Sequence, residues 1–236
     1  IMSSTKCPLN KYLNDDPSIY EIGVDEAGRG PLFGRVYSAA VVLPKDDTFN
    51  HAIMKDSKKF TSKKKIEQSA EHIRENAVAW YVGFEDEKTI DDINILQATQ
   101  KSMHECVQKV RRQLKDHKTE EGKTEWTDYR FHLLIDGNYF NPIHVINNTT
   151  DKMETIPYDM VKGGDNKFTC IAAASILAKV ERDKYIEELC IENPELAERY
   201  GIDRNKGYGA KKHIEGIQQY GISKWHRKSF GICKQY

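Results

Sequence analysis

Two short apolar segments of the chain each end on acidic residues. The first, "YEIGVD" at residues 20–25, runs directly into Glu26, and the second, "FHLLID" at residues 131–136, ends on Asp136. Apolar runs of this length, bounded by turn residues, are typical of buried strands. Because ligand sites in open α/β sheets lie beyond the ends of strands, we expect Asp25, Glu26 and Asp136 to share one crevice.

Strand and helix patterns alternate along the rest of the chain. Further strands are predicted at 35–43 and 77–84, with a short strand within 153–161. Apolar residues at helical spacing predict helices at 62–76, with Ser62 as N-cap, at 89–114 and at 165–190. The polar residues 115–128 are predicted to form a surface loop. This order indicates a mixed α/β sheet with helices outside it.

The predicted helix at 165–190 carries a further acid. Asp183 lies eight residues after Ser175, so it shares a face with small residues suited to packing on a sheet. Clustered, buried carboxylates are costly and repel one another, and a hard divalent cation relieves both problems. The four acids together therefore favour an Mg²⁺ or Mn²⁺ site, where two ions could assist phosphoryl transfer.

Each acid also has an ordinary structural interpretation. An aspartate before glycine at the end of a strand, such as Asp136, is usually a turn residue. Asp183 in "ERDKY" fits a solvated helix face, and the adjacent acids Asp25 and Glu26 fit a helix N-cap. Only the combination favours a metal site.

The segment Gly28-Arg29-Gly30 follows the first acidic pair. Its glycines could serve turn geometry alone, or they could let the backbone approach a ligand and present its N–H groups. A dinucleotide fingerprint is excluded, because Phe33 stands where a third glycine is required. The chain also has no G-x-x-x-x-G-K-[ST] motif, which excludes a P-loop.

Charge is balanced overall but not locally. The 36 basic and 36 acidic residues cancel, whereas residues 55–65 have six lysines against one aspartate, and residues 204–236 have eight basic residues against one glutamate. Such basic segments are either contact surfaces for polyanions or solvated faces. Five cysteines without a C-x-x-C pair, and the lack of a long apolar run, predict a reduced, cytoplasmic protein without a membrane segment.

The assembled motifs resemble a known family. The chain contains, in order, "GVDEAGRGPLFG", "DSKKF", "INILQAT", "LLIDGN", "IAAASILAKVERD", "KGYGAKKH" and "HRKSF". It is similar over roughly residues 20 to 230 to type 2 ribonucleases H, and in particular to the bacterial single-chain branch, ribonuclease HII. The arginine of Gly28-Arg29-Gly30 favours this branch over type 3, which has threonine in that loop.

The resemblance implies a ribonuclease H-like fold, a five-stranded mixed sheet flanked by helices with a helical C-terminal extension. It implies a metal-dependent endonuclease that cuts the RNA strand of RNA–DNA hybrids and nicks duplex DNA 5′ of embedded ribonucleotides, leaving 5′-phosphate and 3′-hydroxyl. The family's metal-binding carboxylates fall on Asp25, Glu26, Asp136 and Asp183, and two Mg²⁺ or Mn²⁺ ions are expected in the active complex.

The resemblance also assigns substrate contacts. The backbone of Gly28, Arg29 and Gly30 is expected to read the 2′-hydroxyl, and Tyr208 to stack on the sugar beyond the RNA–DNA junction. Lys58 and Lys59 match a phosphate-contacting stretch, and the basic tail fits a backbone-binding surface. Ala210 and Arg35 depart from the usual threonine and proline of the family.

The expected organisation is an N-terminal extension at 1–19, poorly ordered, a catalytic domain at 20–192 and a basic helical extension at 193–236. We expect a monomer, and the C-terminal "FGICKQY" lacks a clear sliding-clamp motif. Two alternatives remain. One is another ribonuclease H-like nuclease or recombinase with a different substrate, and the other is a catalytically silent module that only binds hybrids.

Overall fold

The structure is a computed structural model that describes residues 9–46, 48–120, 130–147 and 151–236. Within these residues the strands are β1 (Ile19–Ala27), β2 (Val36–Val42), β3 (Ala79–Glu85), β4 (Arg130–Asp136), β5 (His144–Asn147), β6 (Lys152–Thr155) and β7 (Tyr158–Val161). The α-helices of the same residues are α1 (Lys63–Asn76), α2 (Glu87–Glu120), α3 (Thr169–Glu192), α4 (Glu195–Tyr200), α5 (Ile202–Asn205) and α6 (Lys211–Tyr220).

Five strands form one mixed sheet in the order β3-β2-β1-β4-β7. The chain enters through an antiparallel meander, since β1 pairs with β2 and β2 with β3, and β4 and β7 then add in parallel on the other side of β1. The predicted ribonuclease H-like fold, a five-stranded mixed sheet with helices outside, is confirmed. The segment 153–161 holds two strands rather than one, because β6 pairs with β5 in a separate hairpin.

Helices cover both faces of the sheet, as the alternation along its strands requires. Ile22 and Val24 of β1 face α2, whose Val107 belongs to the same buried cluster. On the opposite face α3 packs so closely that a Cβ atom on Gly23 would overlap the backbone of Cys170. Gly23 therefore allows the close approach of α3, and Ala172, Ala173 and Ala174 of α3 are fully buried, as expected for small residues that pack on a sheet.

Three helix predictions differ from the structure in their details. Helix α2 continues to Glu120, so the predicted surface loop is wrong for residues 115–120, and its remainder lies outside the described residues. Asn94 has a φ of 67° inside α2 and kinks the helix near its start. Helix α3 begins only at Thr169, after a 3₁₀ turn at Gly164–Asn166. Ser62 occupies the N-cap of α1 but makes no side-chain capping bond.

The segments on either side of the sheet are attached to it. The backbone N–H groups of Leu13 and Asn14 both donate to the carboxylate of Glu21, at 2.9 and 2.7 Å. At the other end, the segment after α3 packs against the loop between β1 and β2 through a cluster centred on Phe33 and Ile186. The helical C-terminal part that the resemblance implies is present. None of the described helices is long and apolar enough to cross a membrane.

Candidate active site

The sheet register brings two of the predicted acids to the ends of neighbouring strands. Val24 of β1 pairs with Ile135 of β4 in parallel, so Asp25 and Asp136 follow at the same level. Side chains alternate between the faces of a sheet. Because Gly23 meets α3 and Leu134 belongs to the cluster that α3 fills, Asp25 and Asp136 are on the α3 face as well.

Asp25 is the most buried of the four acids, with 4% of its surface exposed. Burial raises the pKa of its carboxyl well above the usual range, and the negative charges of Glu26 and Asp136 raise it further. The Glu26 N–H, which donates to Asp25 Oδ1 at 2.7 Å, and a hydrogen bond with Ser175 act in the opposite direction. A nearby positive charge would therefore stabilise the ionised carboxylate of Asp25.

The negative charge of Glu26 is partly compensated by Arg29. Arg29 Nη1 lies 3.3 Å from Glu26 Oε1 at the edge of the crevice. The pKa of Glu26 is nevertheless raised, because burial outweighs the opposing charges of Arg29 and Lys58, and the charge of Asp136 adds to the shift. The basic segment around Lys58 therefore lies within electrostatic reach of the acids.

Asp136 is held in place by the loop that precedes α3. The N–H of Gly164 donates to Asp136 Oδ1 at 2.7 Å. Two more acids lie close by. Burial raises the pKa of Asp165, and the charges of Asp56 and Asp136 add to this effect. Asp165 and Asp56 were not singled out from the sequence, since an acid in a polar loop gives no distinguishing signal.

Asp183, the fourth predicted acid, lies on α3. Its Oδ2 accepts a hydrogen bond from the ammonium of Lys179, one helical turn earlier. Its Oδ1 is buried and has no hydrogen-bond partner among the described residues. A buried carboxylate oxygen without a partner is costly. In the part of the chain that the structure describes, no three acidic, histidine or cysteine side chains stand close enough together to hold one metal ion.

The donor chemistry nevertheless fits a hard divalent cation. Mg²⁺ and Mn²⁺ prefer carboxylate oxygens. The raised pKa values of Asp25 and Glu26, and the unpartnered Oδ1 of Asp183, are the defects that such an ion would correct. Lys179 supplies part of that positive charge in this arrangement, so its ammonium would have to leave Asp183 for the four carboxylates to act together.

The glycine-arginine-glycine loop lies beside the acids and against the C-terminal part. Gly28 has a φ of +95°, and a Cβ atom there would overlap the side chain of Arg182. Gly30 has an ordinary backbone conformation, and a Cβ atom there would stand 3.4 Å from Cε1 of Tyr208. The two elements predicted to contact the sugar, this loop and Tyr208, are therefore neighbours.

Tyr208 is half exposed, at 52%, beside Gly30, so its ring is available to a ligand. Lys58 and Lys59 are exposed, and the Lys59 ammonium lies 3.8 Å from Asp56. In the basic tail Lys211, Lys212 and Lys224 are exposed as a binding surface requires.

Arg227 does not fit the description of the tail as a surface. Its side chain is fully buried, at 0% exposure, and it donates to backbone carbonyl groups of the loop between β1 and β2. The prediction that the basic residues of 204–236 form a phosphate-binding surface is therefore wrong for Arg227. Its charge counted in the sequence as basic surface, and only the tertiary structure reveals that it points inward.

Arg35 also has a structural role that the sequence did not reveal. Its guanidinium lies 4.0 Å from the ring centre of Phe84 and 4.5 Å from that of Tyr185, so it is stacked between two rings. Ala210 stands at the N-cap of α6 and makes no side-chain capping bond. The threonine usual in the family would have a hydroxyl at that position to cap the helix.

A mixed sheet of this order, with acids at the ends of its two central parallel strands, defines a ribonuclease H-like nuclease. The chain belongs to the ribonuclease HII family, whose model matches residues 22–233. Members of this family are metal-dependent endoribonucleases, and the predicted family and enzyme class are confirmed.

Individual relatives agree with this assignment. Ribonuclease HII of Bacteroides thetaiotaomicron is 42% identical over 226 residues, covering 95% of this chain and 94% of the relative. Among solved structures, the RNase HII in the PCNA:RNase HII complex from Archaeoglobus fulgidus has a TM-score of 0.62 at 23% identity, covering 90% of this chain and 96% of that one. Bst-RNase HIII in complex with Mn²⁺ has a TM-score of 0.59 at 18% identity, covering 92% and 69%. These two structures support the fold.

Proposed function

We propose that this enzyme hydrolyses the RNA strand of RNA–DNA hybrids and nicks duplex DNA on the 5′ side of embedded ribonucleotides. Water attacks the phosphorus atom and the bond from phosphorus to the 3′ oxygen breaks, which leaves a 5′-phosphate and a 3′-hydroxyl. The observation that carries the proposal is the convergence of Asp25 and Asp136 at adjacent strand ends. The unpartnered Oδ1 of Asp183 on α3 supports it.

Asp25, Glu26, Asp136 and Asp183 would hold two Mg²⁺ or Mn²⁺ ions. Such ions, when bound, would activate the attacking water and supply positive charge for the developing negative charge on the phosphate. Burial, together with repulsion from Glu26 and Asp136, raises the pKa of Asp25, and this supports the role because bound cations would relieve both costs. The charges of both Glu26 and Asp136 act on Asp25, so Asp25 would contact both ions.

The protein's own groups position these carboxylates. The Gly164 N–H fixes one oxygen of Asp136, and the Glu26 N–H fixes one oxygen of Asp25. Lys179 pairs with Asp183, and its ammonium would be available to the substrate phosphates when Asp183 binds a cation. Lys58, whose charge acts on Glu26, and the neighbouring Lys59 are exposed and would neutralise the substrate backbone.

Recognition of RNA would come from the backbone of Gly28, Arg29 and Gly30. Only the 2′-hydroxyl distinguishes a ribonucleotide from its DNA counterpart, so the discriminating group must be a short-range hydrogen-bonding partner. The nearness of Gly30 to the Tyr208 ring supports a shared site, where the loop meets the ribose and the ring stacks on the next sugar. We further propose that the enzyme is a monomer and that residues 193–236 contact the substrate. We place it in the cytoplasm, since the four described cysteines are free thiols, as in a reducing compartment.

The test is incubation with an end-labelled DNA duplex that carries one ribonucleotide, with Mg²⁺, with Mn²⁺ and with a chelator. We expect one nick on the 5′ side of the ribonucleotide with either cation, and no nick with the chelator. An all-DNA duplex of the same sequence is the control. Cleavage of the all-DNA duplex would favour a ribonuclease H-like nuclease of different specificity, and a gel shift without cleavage would favour a module that only binds hybrids.

A further inference from the structure

The buried side chain of Arg227 is joined to the glycine-arginine-glycine loop by hydrogen bonds. Its Nη2 donates to the carbonyl oxygen of Gly28 at 2.6 Å, and its Nη1 donates to those of Arg29 and Pro31 at 3.0 and 2.8 Å. Its Nε donates to the carbonyl oxygen of Gly34 at 2.8 Å. One guanidinium thus binds four carbonyl groups within residues 28–34 of the loop.

Further backbone bonds attach the same loop to the C-terminal part. The N–H of Arg227 donates to the carbonyl oxygen of Leu32 at 2.9 Å, and the N–H of Gly34 donates to that of Trp225 at 2.8 Å. The N–H of Leu32 in turn donates to the carbonyl oxygen of Gly207 at 2.9 Å, next to Tyr208. These bonds fix the backbone conformation and orientation of the loop, and they come from residues almost two hundred positions later in the chain.

These bonds determine where the N–H groups of the loop point. In a planar trans peptide the C=O of one residue and the N–H of the next point in opposite directions. Because the carbonyl groups of Gly28 and Arg29 point toward Arg227, the N–H groups of Arg29 and Gly30 point away from it. The guanidinium therefore presents two successive backbone donors on the face of the loop opposite to itself.

We infer that Arg227 is the positioning residue of this loop, which it holds in the one orientation where the loop N–H groups can meet a ribose hydroxyl. The inference rests on the proposed function for its consequence in RNA recognition, but not for the ordering of the loop itself. A planar guanidinium with five donors in a fixed fork suits this role, whereas an ammonium is a point charge that cannot reach four carbonyl groups in the same geometry.

The position of Arg227 separates this role from substrate binding. Its side chain is fully buried, so it cannot touch a phosphate, and its effect on cleavage must pass through the loop. Removing it should therefore lower the turnover number on ribonucleotide substrates much more than the affinity for duplex. A misplacement of about 1 Å in a positioned group costs on the order of 10²-fold in rate, and we expect a loss of that size.

The experiment compares wild type with Arg227→Ala and Arg227→Lys, and uses Arg111→Ala as the matched control. Arg111 is a half-buried arginine whose guanidinium lies 5.1 Å from the ring centre of Phe131, far along the chain from the loop and on another element. Turnover number and KM are measured on the single-ribonucleotide duplex, and Kd on the all-DNA duplex. Both Arg227 variants should lose about 10²-fold in turnover number with Kd changed less than about threefold, while Arg111→Ala retains turnover.

Two further measurements keep the inference testable if activity changes for other reasons. Guanidinium ions at low concentration should restore at least about tenfold of the turnover of Arg227→Ala, by refilling the vacated site, but should not restore Arg227→Lys. Amide hydrogen exchange should become faster in residues 28–34 of both variants, while the amides of β1 and β4 stay protected.

The results distinguish failure of the role of Arg227 from failure of the proposed function. Unchanged exchange in residues 28–34, or an unchanged turnover number in both variants of an active enzyme, would overturn the role of Arg227. If wild type itself does not cleave the single-ribonucleotide duplex, the proposed function fails, and the exchange measurement still decides whether Arg227 orders the loop. If the amides of the whole sheet lose protection from exchange in both variants, Arg227 only stabilises the fold. If the sheet loses protection in Arg227→Ala but only the loop does in Arg227→Lys, the role of Arg227 in ordering the loop stands.

Discussion

His213 Nε2 and His226 Nε2 lie 3.0 Å apart inside the C-terminal part of the protein, and both rings are buried. The contact defines the tautomers of both rings. Because the Ser223 N–H donates to His226 Nδ1 at 2.9 Å, His226 has its proton on Nε2 and donates it to His213. His213 then has its proton on Nδ1 and donates it to the carbonyl oxygen of Tyr208 at 2.9 Å. This chain fixes the backbone of the tyrosine that faces Gly30.

The first prediction concerns the pH dependence of stability. Burial, and then the charge of His213, lower the pKa of His226 to about 3. The unfolded chain therefore binds more protons than the folded one between about pH 6.5 and pH 3, so this contribution is fully present above about pH 6.5 and is lost as the pH falls. The slope from one such group is at most about 1.4 kcal/mol per pH unit.

Urea unfolding of wild type and His226→Gln between pH 4.5 and pH 8 measures this effect. The raised pKa values of Asp25 and Glu26 act in the opposite direction, since those acids bind protons more readily in the folded state. Taking the difference between the two proteins removes that contribution. The free energy of unfolding of wild type should fall more steeply on acidification than that of His226→Gln, and parallel curves would contradict a neutral, buried His226.

The second prediction is that Asp136→Asn abolishes cleavage and leaves hybrid binding largely intact. The amide has the size of the carboxylate but lacks the charge needed to hold a divalent cation. Asp25→Asn should be at least as damaging, because the Asp25 carboxylate lies within reach of the charges of both Glu26 and Asp136. Asp159→Asn is the control, since Asp159 is an exposed carboxylate on β7 that contacts His132 at 2.7 Å. Near-normal turnover by Asp136→Asn would remove this residue from the site.

The third prediction concerns the exposed lysines of the tail. The logarithm of the binding constant should fall linearly with the logarithm of salt concentration, with a slope of about −0.9 for each phosphate neutralised. Replacing Lys211, Lys212 and Lys224 together by glutamine should make this slope less steep. Lys109→Gln on α2, where Lys109 packs over Tyr81, is the control. If the triple variant has the slope of wild type, these lysines form only a solvated face.

The fourth prediction is that Tyr208→Ala slows cleavage of the single-ribonucleotide duplex about tenfold or more. A stacking contact of an aromatic ring with a nucleotide is worth roughly 1–3 kcal/mol, and Tyr208→Phe should retain most of it. Tyr220→Ala is the control, because Tyr220 is also about half exposed, at 49%, and stacks with Arg199. Equal activity of Tyr208→Ala and Tyr220→Ala would argue against a stacking role.

Sequence patterns predicted the sheet well because its strands are short apolar runs with clear ends. The acids of β1 and β4 could be placed near one another for the same reason, since parallel strands end at one edge of a sheet. The prediction failed where a side chain has two possible environments. Arg227 lies in a basic segment, and nothing in "HRKSF" indicates that its guanidinium is buried beneath a loop some 200 residues earlier.

The pairing of His213 with His226 could not have been predicted either. Histidines are compatible with surfaces, metal sites and interiors alike, and these two are thirteen positions apart on different elements. Helix boundaries failed for a local reason. Residues 115–120 continue α2, and the lysines and glutamate among them are good helix formers, although the polarity of the segment is also compatible with a loop.

The last prediction concerns discrimination by Gly30. Gly28→Ala is a poor test, because the φ of +95° and the overlap with Arg182 would strain the loop whatever its role. Gly30→Ala is a clean one, since its Cβ atom would only contact the Tyr208 ring, at 3.4 Å. The added methyl group keeps the backbone from a ribose hydroxyl, and buried donors left without a partner are costly. Cleavage of the single-ribonucleotide duplex should therefore fall far more than affinity for the all-DNA duplex.

A double-mutant cycle separates this effect from displacement of the tyrosine ring. If the methyl group of Gly30→Ala blocks approach of the backbone, it should reduce cleavage by the same factor in wild type and in Tyr208→Ala, so the two losses add as free energies. If it acts by moving the ring, it should have little effect once the ring is gone. Wild-type rates for Gly30→Ala would mean that the loop serves turn geometry alone and that another group reads the 2′-hydroxyl.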